Sequence, residues 1–311
     1  MRQRGEWEMR NYLSIDIGGT NLKYGLINHS GNLLFKDQIA TPTEKRVFIG
    51  ELKKIIATYK QEIYGVAISV PGKVDSKRGI VYYGGSLPFL NKLNFKELIQ
   101  TEFGELVVAI ENDGKAGALA ELWLGTLKNK KNSAAIILGT GVGGGIIINN
   151  QLLQGSHFQS GELSFMVNNY QLKGYDKMVG MSCSSVKMIE QIATALNLPD
   201  KKDGLAVFEQ LNLKNKLAWD IFRRYCRRVA YLILNVQSVV DLSIYAIGGG
   251  ISAQSLLVET INQQYDEILL ELPLIKKTLT RPEIRMARFE NNANLYGALY
   301  SLLQQEDYIN D

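Results

Sequence analysis

Apolar and polar positions along the chain predict two similar stretches of β structure. Residues 12–28 consist of an apolar run, a glycine-containing turn and a second apolar run, and residues 31–41 continue this pattern after a further turn. Such a pattern is typical of a β-hairpin followed by a third strand. Residues 133–153 repeat the arrangement. The repetition predicts that each half of the chain opens with a hairpin whose turn contains glycines.

Helical spacing and continuous apolar runs predict the elements that follow the hairpins. Apolar residues between 44 and 60, among them Val47 and Leu52, are spaced to share one face of a helix. Buried strands are expected at 64–70 and 105–112. The remaining predicted elements are a helix rich in glycine and alanine at 113–125, a mainly helical region at 178–270 that contains a strand at 242–252, a strand within 281–289, and a last helix from near Asn292.

The length of the chain predicts two lobes of α/β structure. Its 311 residues exceed the size at which a single hydrophobic core stops growing. We expect an N-terminal α/β lobe at 10–118 and a C-terminal α/β lobe at 119–291, with the last helix, 292–308, returning to the first lobe. Because no low-complexity linker divides the chain, structured segments are expected to join the lobes.

Charge and composition argue against several classes of protein. The 35 basic and 31 acidic residues leave a net charge of +4, which is too small and too dispersed to indicate a nucleic-acid partner. Basic runs at 128–131 and 223–228 are interpreted as solvated loop and helix faces. The predicted structure begins near Tyr12, which leaves no room upstream for a DNA-binding domain, and no apolar run is long enough to cross a membrane. We therefore expect neither a nucleic-acid nor a membrane partner.

The cysteine and histidine residues do not form a metal-binding or disulfide pattern. Cys183 and Cys226 lie far apart in the sequence, and neither they nor His29 and His157 form a CxxC or a Cys/His cluster. We therefore expect no zinc site and no disulfide framework. A reducing, cytoplasmic location is expected for the same reason.

Three glycine-rich turns are the strongest candidates for a functional site: DIGGT at 16–20, GTGVGGG at 139–145 and IGGGIS at 247–252. Glycine lets backbone N–H groups approach an anion closely, and consecutive N–H groups form an anion-binding nest. A strand rather than a helix follows 139–145, which excludes a dinucleotide-binding fingerprint, and the chain lacks the Gly-Lys-Ser/Thr of a P-loop. The turns therefore predict a phosphate chain held by two hairpins, with Asp16 as a ligand of a metal ion or of its waters.

Six segments in this order resemble the actin-like ATPase superfamily, which includes the hexokinases, and within it the ROK family of sugar kinases and repressors. The resemblance extends over about residues 12–303. It implies a two-lobed actin-like ATPase fold of the ribonuclease H-like type, with a ligand cleft between the lobes. The segments are DIGGT, SVPGKVD (69–75), ENDGKAG (111–117), GTGVGGG, SGE (160–162) and GGGIS (248–252).

The resemblance implies catalytic and sugar-binding roles for four residues. Asp113 stands where the family has its catalytic base, although a position between a strand and a helix also suits a helix N-cap. Asn112 and Glu162 stand at positions that hydrogen-bond sugar hydroxyls in the family. Ser182 stands near the position of a carboxylate that touches the anomeric side of the sugar.

The resemblance also implies ATP and Mg²⁺ as cofactors, bound at the glycine turns. Asp16 is implied to hold Mg²⁺, directly or through water. The residues implied to bind ATP are Asp16, Gly18, Gly19 and Thr20 in a first phosphate loop, Thr140, Gly141 and Gly143 in a second, and Gly249 and Gly250 at the adenosine.

The chain departs from the zinc-binding pattern that many ROK members carry after the SGE segment. Phe165 stands where those members have a histidine, and the regularly spaced cysteines of the zinc-binding pattern are missing. Cys183 is therefore interpreted as a core residue. An aromatic residue at 165 and the small Ser182 leave room and a stacking surface on the anomeric side of the sugar. In these features the chain is similar to the zinc-less branch that resembles bacterial β-glucoside kinases. His157 is not expected to be catalytic.

We therefore expect a kinase that transfers the γ-phosphate of ATP to a hydroxyl, expected to be O6, of a hexose or a β-glucoside. Kinases of the same family that act on glucose, fructose or N-acetylmannosamine share these motifs, so these substrates are the alternatives. A non-catalytic, sugar-sensing ROK regulator and an actin-like ATPase with a protein partner are the alternatives from other classes. The expected partner is a small-molecule sugar, and the resemblance also allows a homodimer.

Overall fold

The computed structural model describes residues 10–310, with side chains described as far as residue 306. The chain divides into two compact units. The first contains the chain up to Gly125, Gln154–Ser160 and the residues from Asn292 onward, and the second contains Thr126–Leu153 and Gly161–Asn291. The boundary therefore lies at Gly125 rather than at residue 118, because a continuous helix spans residue 118. The segment Gln154–Ser160 belongs to the first unit, although it was expected in the second lobe.

Strands and helices follow one another along the chain in a mixed α/β order. The strands are β1 (Asn11–Ile17), β2 (Asn21–Asn28), β3 (Leu33–Ala40), β4 (Gly65–Val70), β5 (Lys73–Asp75), β6 (Ile80–Tyr83), β7 (Leu93–Asn94), β8 (Val107–Asn112), β9 (Ser133–Leu138), β10 (Val142–Ile148), β11 (Gln151–Leu152), β12 (Ile244–Gly249) and β13 (Glu283–Met286). The helices are α1 (Lys45–Tyr59), α2 (Phe95–Phe103), α3 (Asp113–Leu124), α4 (Val179–Ser182), α5 (Ser185–Ala195), α6 (Gly204–Asn212), α7 (Lys216–Val240), α8 (Ser255–Glu271), α9 (Pro273–Thr278) and α10 (Ala293–Asn310).

The main sheets of the two units have the same topology. The strand order is β3-β2-β1-β4-β8 in the first unit and β11-β10-β9-β12-β13 in the second, and β5, β6 and β7 form a separate small sheet. In each main sheet the first strand pairs antiparallel with the second strand of its hairpin and parallel with a later strand. This shared topology is the structural counterpart of the repeated sequence pattern.

Small residues explain the inner position of α3 in the first unit. This helix is buried from Gly114 to Leu122, and the last helix, α10, packs along it. A Cβ atom at Gly297 of α10 would overlap the carbonyl oxygen of Ala116 in α3. The two helices can approach this closely only because Gly297 has no side chain.

The outer helices are amphipathic. In α1 the buried positions are Phe48, Leu52, Ile55 and Ile56, whereas Val47, which was expected on that face, is 50% exposed. The longest helix, α7, buries one side against the core of the second unit and exposes the other. Across residues 10–310, no helix combines the length and the apolar character that crossing a membrane requires.

Candidate active site

The first glycine turn lies at the end of the β1–β2 hairpin. The N–H of Gly18 donates to the carbonyl oxygen of Asn21 at 3.0 Å. Thr41 holds the turn from the side, because its hydroxyl donates to the Gly18 carbonyl at 2.7 Å and its N–H donates to the Thr20 carbonyl at 2.9 Å. Gly19 and Thr20 are exposed, and Ser86 Oγ, at 3.4 Å, is the atom nearest to a Cβ built at Gly19. The turn is thus fixed on one side and open on the other, which suits a phosphate.

Asp16 is a buried carboxylate immediately before this turn. It is 7% exposed, and Asn294 of α10 donates its amide N–H to Asp16 Oδ1 at 3.0 Å. Burial raises the pKa of Asp16 above its ordinary value, and the charge of Lys23 and the Asn294 hydrogen bond act against that rise. A divalent cation would stabilise the ionised carboxylate in this position. The residues fit Mg²⁺, which proteins commonly bind through one or two carboxylates together with phosphate oxygens and waters.

The strand–helix junction after β8 holds Asn112 and Asp113. Asn112 is the N-cap of α3, and its amide oxygen accepts the N–H of Lys115 at 3.1 Å. Its amide nitrogen donates to the Gly72 carbonyl at 2.9 Å and to Asp113 Oδ1 at 3.0 Å. Asp113 is therefore the first helical residue and not the N-cap. Asn112 uses both of its donor hydrogens within the first unit, so a bond from Asn112 to a sugar would use its remaining acceptor capacity.

The sheet of the first unit brings the Asp16 turn and Asp113 to one edge. β1, β4 and β8 are parallel neighbours, with Asp16 opposite Ser69 and Val70 opposite Asn112. Both Asp16 and Asn112 therefore stand at the carboxyl ends of their strands. Two strand spacings separate these ends, which is about 10 Å. A carboxylate beside an open glycine turn and a second carboxylate at a helix start thus face the same edge, the usual ligand-binding edge of parallel sheets.

The second unit repeats this arrangement with its own glycine turns. The turn after β9 contains Thr140 and Gly141. Gly249 is the last residue of β12, and Gly250 begins the turn that follows it. Leu138 pairs with Gly249 in the register of the parallel strands, so both turns lie at the same edge. Thr140 and Gly250 are exposed, and no atom lies within 4 Å of a Cβ built at Gly250. These turns can accommodate a ligand that carries phosphates.

The glycine run at 139–145 serves two different purposes. Gly143 lies in β10 and pairs with Ile137, so it belongs to the strand and not to the turn in which it was expected. A Cβ at Gly144 would lie 2.5 Å from the carbonyl oxygen of Ala135 and 3.2 Å from the Leu163 side chain. Gly144 is therefore required for packing within the second unit. The part of this run that can face a phosphate is the turn at 139–141.

Glu162 and Ser182 lie on two segments that pack together in the second unit. Val167 and Met178 form an antiparallel bridge, and the N–H of Val179 donates to the Met166 carbonyl at 2.8 Å. Asn168 donates its amide N–H to Ser182 Oγ at 2.6 Å. Phe165 is 64% exposed in the 3₁₀ turn that follows Glu162. An exposed aromatic ring and a small hydroxyl residue therefore occur in the same part of this unit.

Cys183 belongs to the hydrophobic core of the second unit. It is fully buried, and this burial raises the pKa of its thiol to about 11. Among the side chains that the structure describes, no group of three or more His, Cys, Asp or Glu residues is arranged to hold a metal ion.

The site contains a buried ionic network that was not expected from the sequence. The ammonium of Lys115 donates to the amide oxygen of Gln154 at 2.8 Å, and the amide nitrogen of Gln154 donates to Glu111 Oε2 at 2.7 Å. Burial raises the pKa of Glu111, and the positive charge of Lys115 opposes this rise. The signal available in the sequence was a lysine in a helix start whose other residues after Asp113 are glycine, alanine and leucine.

The thirteen predicted site residues divide between the two units. Each unit contains glycine turns together with candidate sugar-binding residues. Those in the first unit are Asp16, Gly18, Gly19, Thr20, Asn112 and Asp113, and those in the second are Thr140, Gly141, Gly143, Glu162, Ser182, Gly249 and Gly250.

Comparison with known proteins agrees with the motifs. The sequence profile of the ROK family matches residues 12–306. A β-glucoside kinase from Listeria monocytogenes is 27% identical over 298 residues, which cover 94% of this chain and 98% of that protein. A glucokinase from Streptomyces coelicolor is 28% identical over 280 residues, which cover 83% of this chain and 88% of that protein.

The fold has close counterparts among solved structures. A ROK family protein from Streptococcus pneumoniae, crystallised in complex with sucrose, superposes with a TM-score of 0.84 at 26% identity. The match covers 96% of this chain and 99% of that protein. The predicted α/β fold of the actin-like ATPase type is therefore confirmed.

Proposed function

This chain belongs to the ROK family, and on that premise we propose that it transfers the γ-phosphate of ATP to the O6 hydroxyl of a hexose or a β-glucoside. At the coarser level it is a ROK sugar kinase, a carbohydrate phosphotransferase with an alcohol group as acceptor. The observation that carries the finer proposal is the common sheet edge in the first unit. There Asp16 lies beside an open glycine turn and Asp113 stands at the start of α3.

In the proposed reaction Asp113 is the general base. Its carboxylate accepts the proton of the sugar hydroxyl while that oxygen forms a bond to the γ-phosphorus. The bond between this phosphorus and the oxygen that bridges it to the β-phosphorus breaks, and ADP leaves. Phosphoryl transfer depends on alignment and removal of one proton, so one well-oriented carboxylate is sufficient. The hydrogen bonds from Asn112 and from the Gly114 N–H to Asp113 Oδ1 orient this carboxylate.

The glycine turns are proposed to bind the nucleotide. Gly18, Gly19 and Thr20 in the first unit, and Thr140 and Gly141 in the second, offer backbone N–H and hydroxyl donors to the phosphates. Gly249 and Gly250 are assigned to the adenosine side. Asp16 would hold Mg²⁺ directly or through water, and the ion, when bound, neutralises part of the phosphate charge.

Replacement of Gly19 by alanine is expected to weaken ATP binding without unfolding the protein. A new Cβ would meet only the side chain of Ser86, with Oγ at 3.4 Å and Cβ at 4.0 Å, so the fold tolerates it. The methyl group would keep a phosphate from the backbone, and loss of one hydrogen bond to a charged group corresponds to roughly a 10-fold or larger rise in KM for ATP. Steady-state kinetics check this result. An unchanged KM for ATP, or an equal rise in KM for the sugar, would contradict the assignment of this turn.

Support for a β-glucoside as acceptor comes from Phe165 and Ser182. The exposed ring of Phe165 offers a stacking surface, and a serine at 182 leaves more space than a carboxylate. The β-glucoside kinase of L. monocytogenes and the sucrose complex of the S. pneumoniae protein are consistent with an acceptor larger than a monosaccharide. The glucokinase relative favours the alternative, which is a kinase for free glucose.

Replacement of Ser182 by glutamate is expected to change acceptor preference. The larger side chain would occupy the anomeric side, so kcat/KM for cellobiose should fall about 10–100-fold relative to that for glucose. The exposed Ser238 of α7 provides the control, because Ser238→Glu adds the same charge to the same unit. If Ser182→Glu lowers both values equally, Ser182 does not border the anomeric substituent.

The proposal is tested by ADP release from Mg²⁺-ATP with a panel of acceptors. The panel contains glucose, mannose, fructose, N-acetylmannosamine, cellobiose, gentiobiose and an aryl β-glucoside. Turnover with the disaccharides or the aryl glucoside is the expected result. Turnover with a free monosaccharide alone supports another hexose kinase specificity. No turnover with any acceptor would contradict the proposal and favour a sugar-sensing regulator, whereas ATP hydrolysis without sugar would favour an ATPase.

A further inference from the structure

The buried ionic network of the first unit anchors the segment Gln154–Ser160. Besides its bond to Gln154, the ammonium of Lys115 donates to the carbonyl oxygen of Phe158 at 3.0 Å. Lys115 and Glu111 are each only 1% exposed. Burial of two opposite charges carries a desolvation penalty that often cancels their attraction, so the stability of the fold is a weak reason for such a pair.

The backbone of this segment has an unusual conformation at the point of attachment. Phe158 has a φ of +60°, in the left-handed region that residues with a side chain seldom adopt. Strain of this kind persists where the surroundings impose it, and it concentrates at functional sites. The segment also closes on itself, because the N–H of Ser160 donates to the Gln154 carbonyl at 3.3 Å. Lys115 thus holds a compact loop through its strained residue.

We propose that Lys115, supported by Glu111, is a positioning residue for sugar binding. It fixes the segment Gln154–Ser160 to the first unit and thereby sets the point from which the chain continues into Gly161 and Glu162. The inference rests on the proposed function, since the position of Glu162 affects catalysis only if this residue binds the sugar.

Lys115 contacts the helix cap through its backbone and the segment Gln154–Ser160 through its side chain. The backbone N–H of Lys115 donates to the amide oxygen of Asn112, which caps α3 next to Asp113. The side chain of the same residue binds Gln154 and Phe158. Removal of the ammonium therefore releases the segment but leaves the helix cap intact. This separation allows the positioning role to be tested without loss of the helix start.

The variant Lys115→Met keeps the length of the side chain and removes its charge and donors. Hydrogen exchange of the amides in Gln154–Ser160 should become faster, while exchange in β1 and β8 stays as in the unchanged protein. The KM for the sugar should rise about 10-fold, and the KM for ATP should change less than about twofold. The exposed Lys54 supplies the control variant Lys54→Met, which should change none of these values.

The double variant Lys115→Met with Glu111→Gln separates positioning from simple charge burial. It removes the carboxylate that the single variant would leave buried without its cation. If Lys115 only neutralises Glu111, the double variant recovers the original KM for the sugar. If Lys115 positions the segment, the double variant recovers thermal stability while the segment exchanges fast and the KM for the sugar stays high.

Unchanged exchange in Gln154–Ser160, or equal rises in the KM for sugar and ATP, would overturn the inference while the kinase function stands. A protein that phosphorylates no sugar would instead overturn the proposed function. In that case the exchange measurement, together with the dissociation constant of cellobiose from calorimetry, still decides whether Lys115 anchors the segment and affects sugar binding.

Discussion

The variant Asp113→Asn should lose about 10²–10⁴-fold in kcat, because it can no longer accept the proton of the sugar hydroxyl. The fold should survive the change. Asp113 Oδ1 accepts hydrogen bonds from Asn112 and from the N–H of Gly114, and the amide oxygen of an asparagine can accept both. Steady-state kinetics with glucose and cellobiose measure the loss, and calorimetry should give sugar dissociation constants within about threefold of the original values.

The control for this variant is Asp37→Asn, at an exposed position of β3 in the same unit. It removes one negative charge from the surface of the unit, 76 positions before Asp113 in the chain, and should leave kcat unchanged. Ordinary turnover by Asp113→Asn would show that another group accepts the proton. A parallel loss of sugar binding and of thermal stability would show that Asp113 supports the fold more than the chemistry.

The variant Gly297→Ala should destabilise the first unit by about 1–3 kcal/mol. A Cβ at this position would overlap the backbone carbonyl oxygen of Ala116, and a backbone atom cannot move aside as the end of a flexible side chain can. The two helices must then separate, which weakens the packing of α10 on α3. Urea unfolding measures the change in the free energy of unfolding at constant slope.

The variant Gly50→Ala is the matched control, because it makes the same substitution inside another helix of the same unit. No atom lies within 4 Å of a Cβ built at Gly50 in α1. Alanine is a better helix former than glycine, so this variant should be more stable by about 0.5–1 kcal/mol. The two substitutions should therefore have opposite signs. Equal effects would show that the close approach of Gly297 to Ala116 does not limit the helix packing.

Local sequence pattern was sufficient to predict the strands of the main sheets and the glycine turns. Strand periodicity and turn glycines are properties of neighbouring residues, so the β1–β2 and β9–β10 hairpins could be recognised directly. Asp16 was noticeable because it interrupts an apolar run. In contrast, the short strands β5, β6 and β7 and the nine-residue helix α2 were not predicted, because each has too few residues for its period to repeat often.

The features that were missed depend on contacts between distant residues. Lys115 and Gln154 are 39 positions apart, and nothing near either one indicates that they meet. Asn294 of α10 contacts Asp16 although the two residues are 278 positions apart. Nothing in the sequence near Asn294 indicates this contact. Gly143 was expected in the turn but lies in β10, and the reason is related. A run of glycines does not reveal which of them form the turn and which allow strands and side chains to pack closely.

Identification of the reaction product tests the proposed kinase function most directly. The protein is incubated with Mg²⁺-ATP and either glucose or cellobiose, and phosphorus and carbon magnetic resonance locate the phosphate on the sugar. We expect a phosphate ester at O6 of the hexose, and at O6 of the non-reducing ring of cellobiose, with one ADP formed for each ester. An ester at another position would contradict the proposed acceptor group, and ADP without any sugar ester would contradict the sugar kinase function.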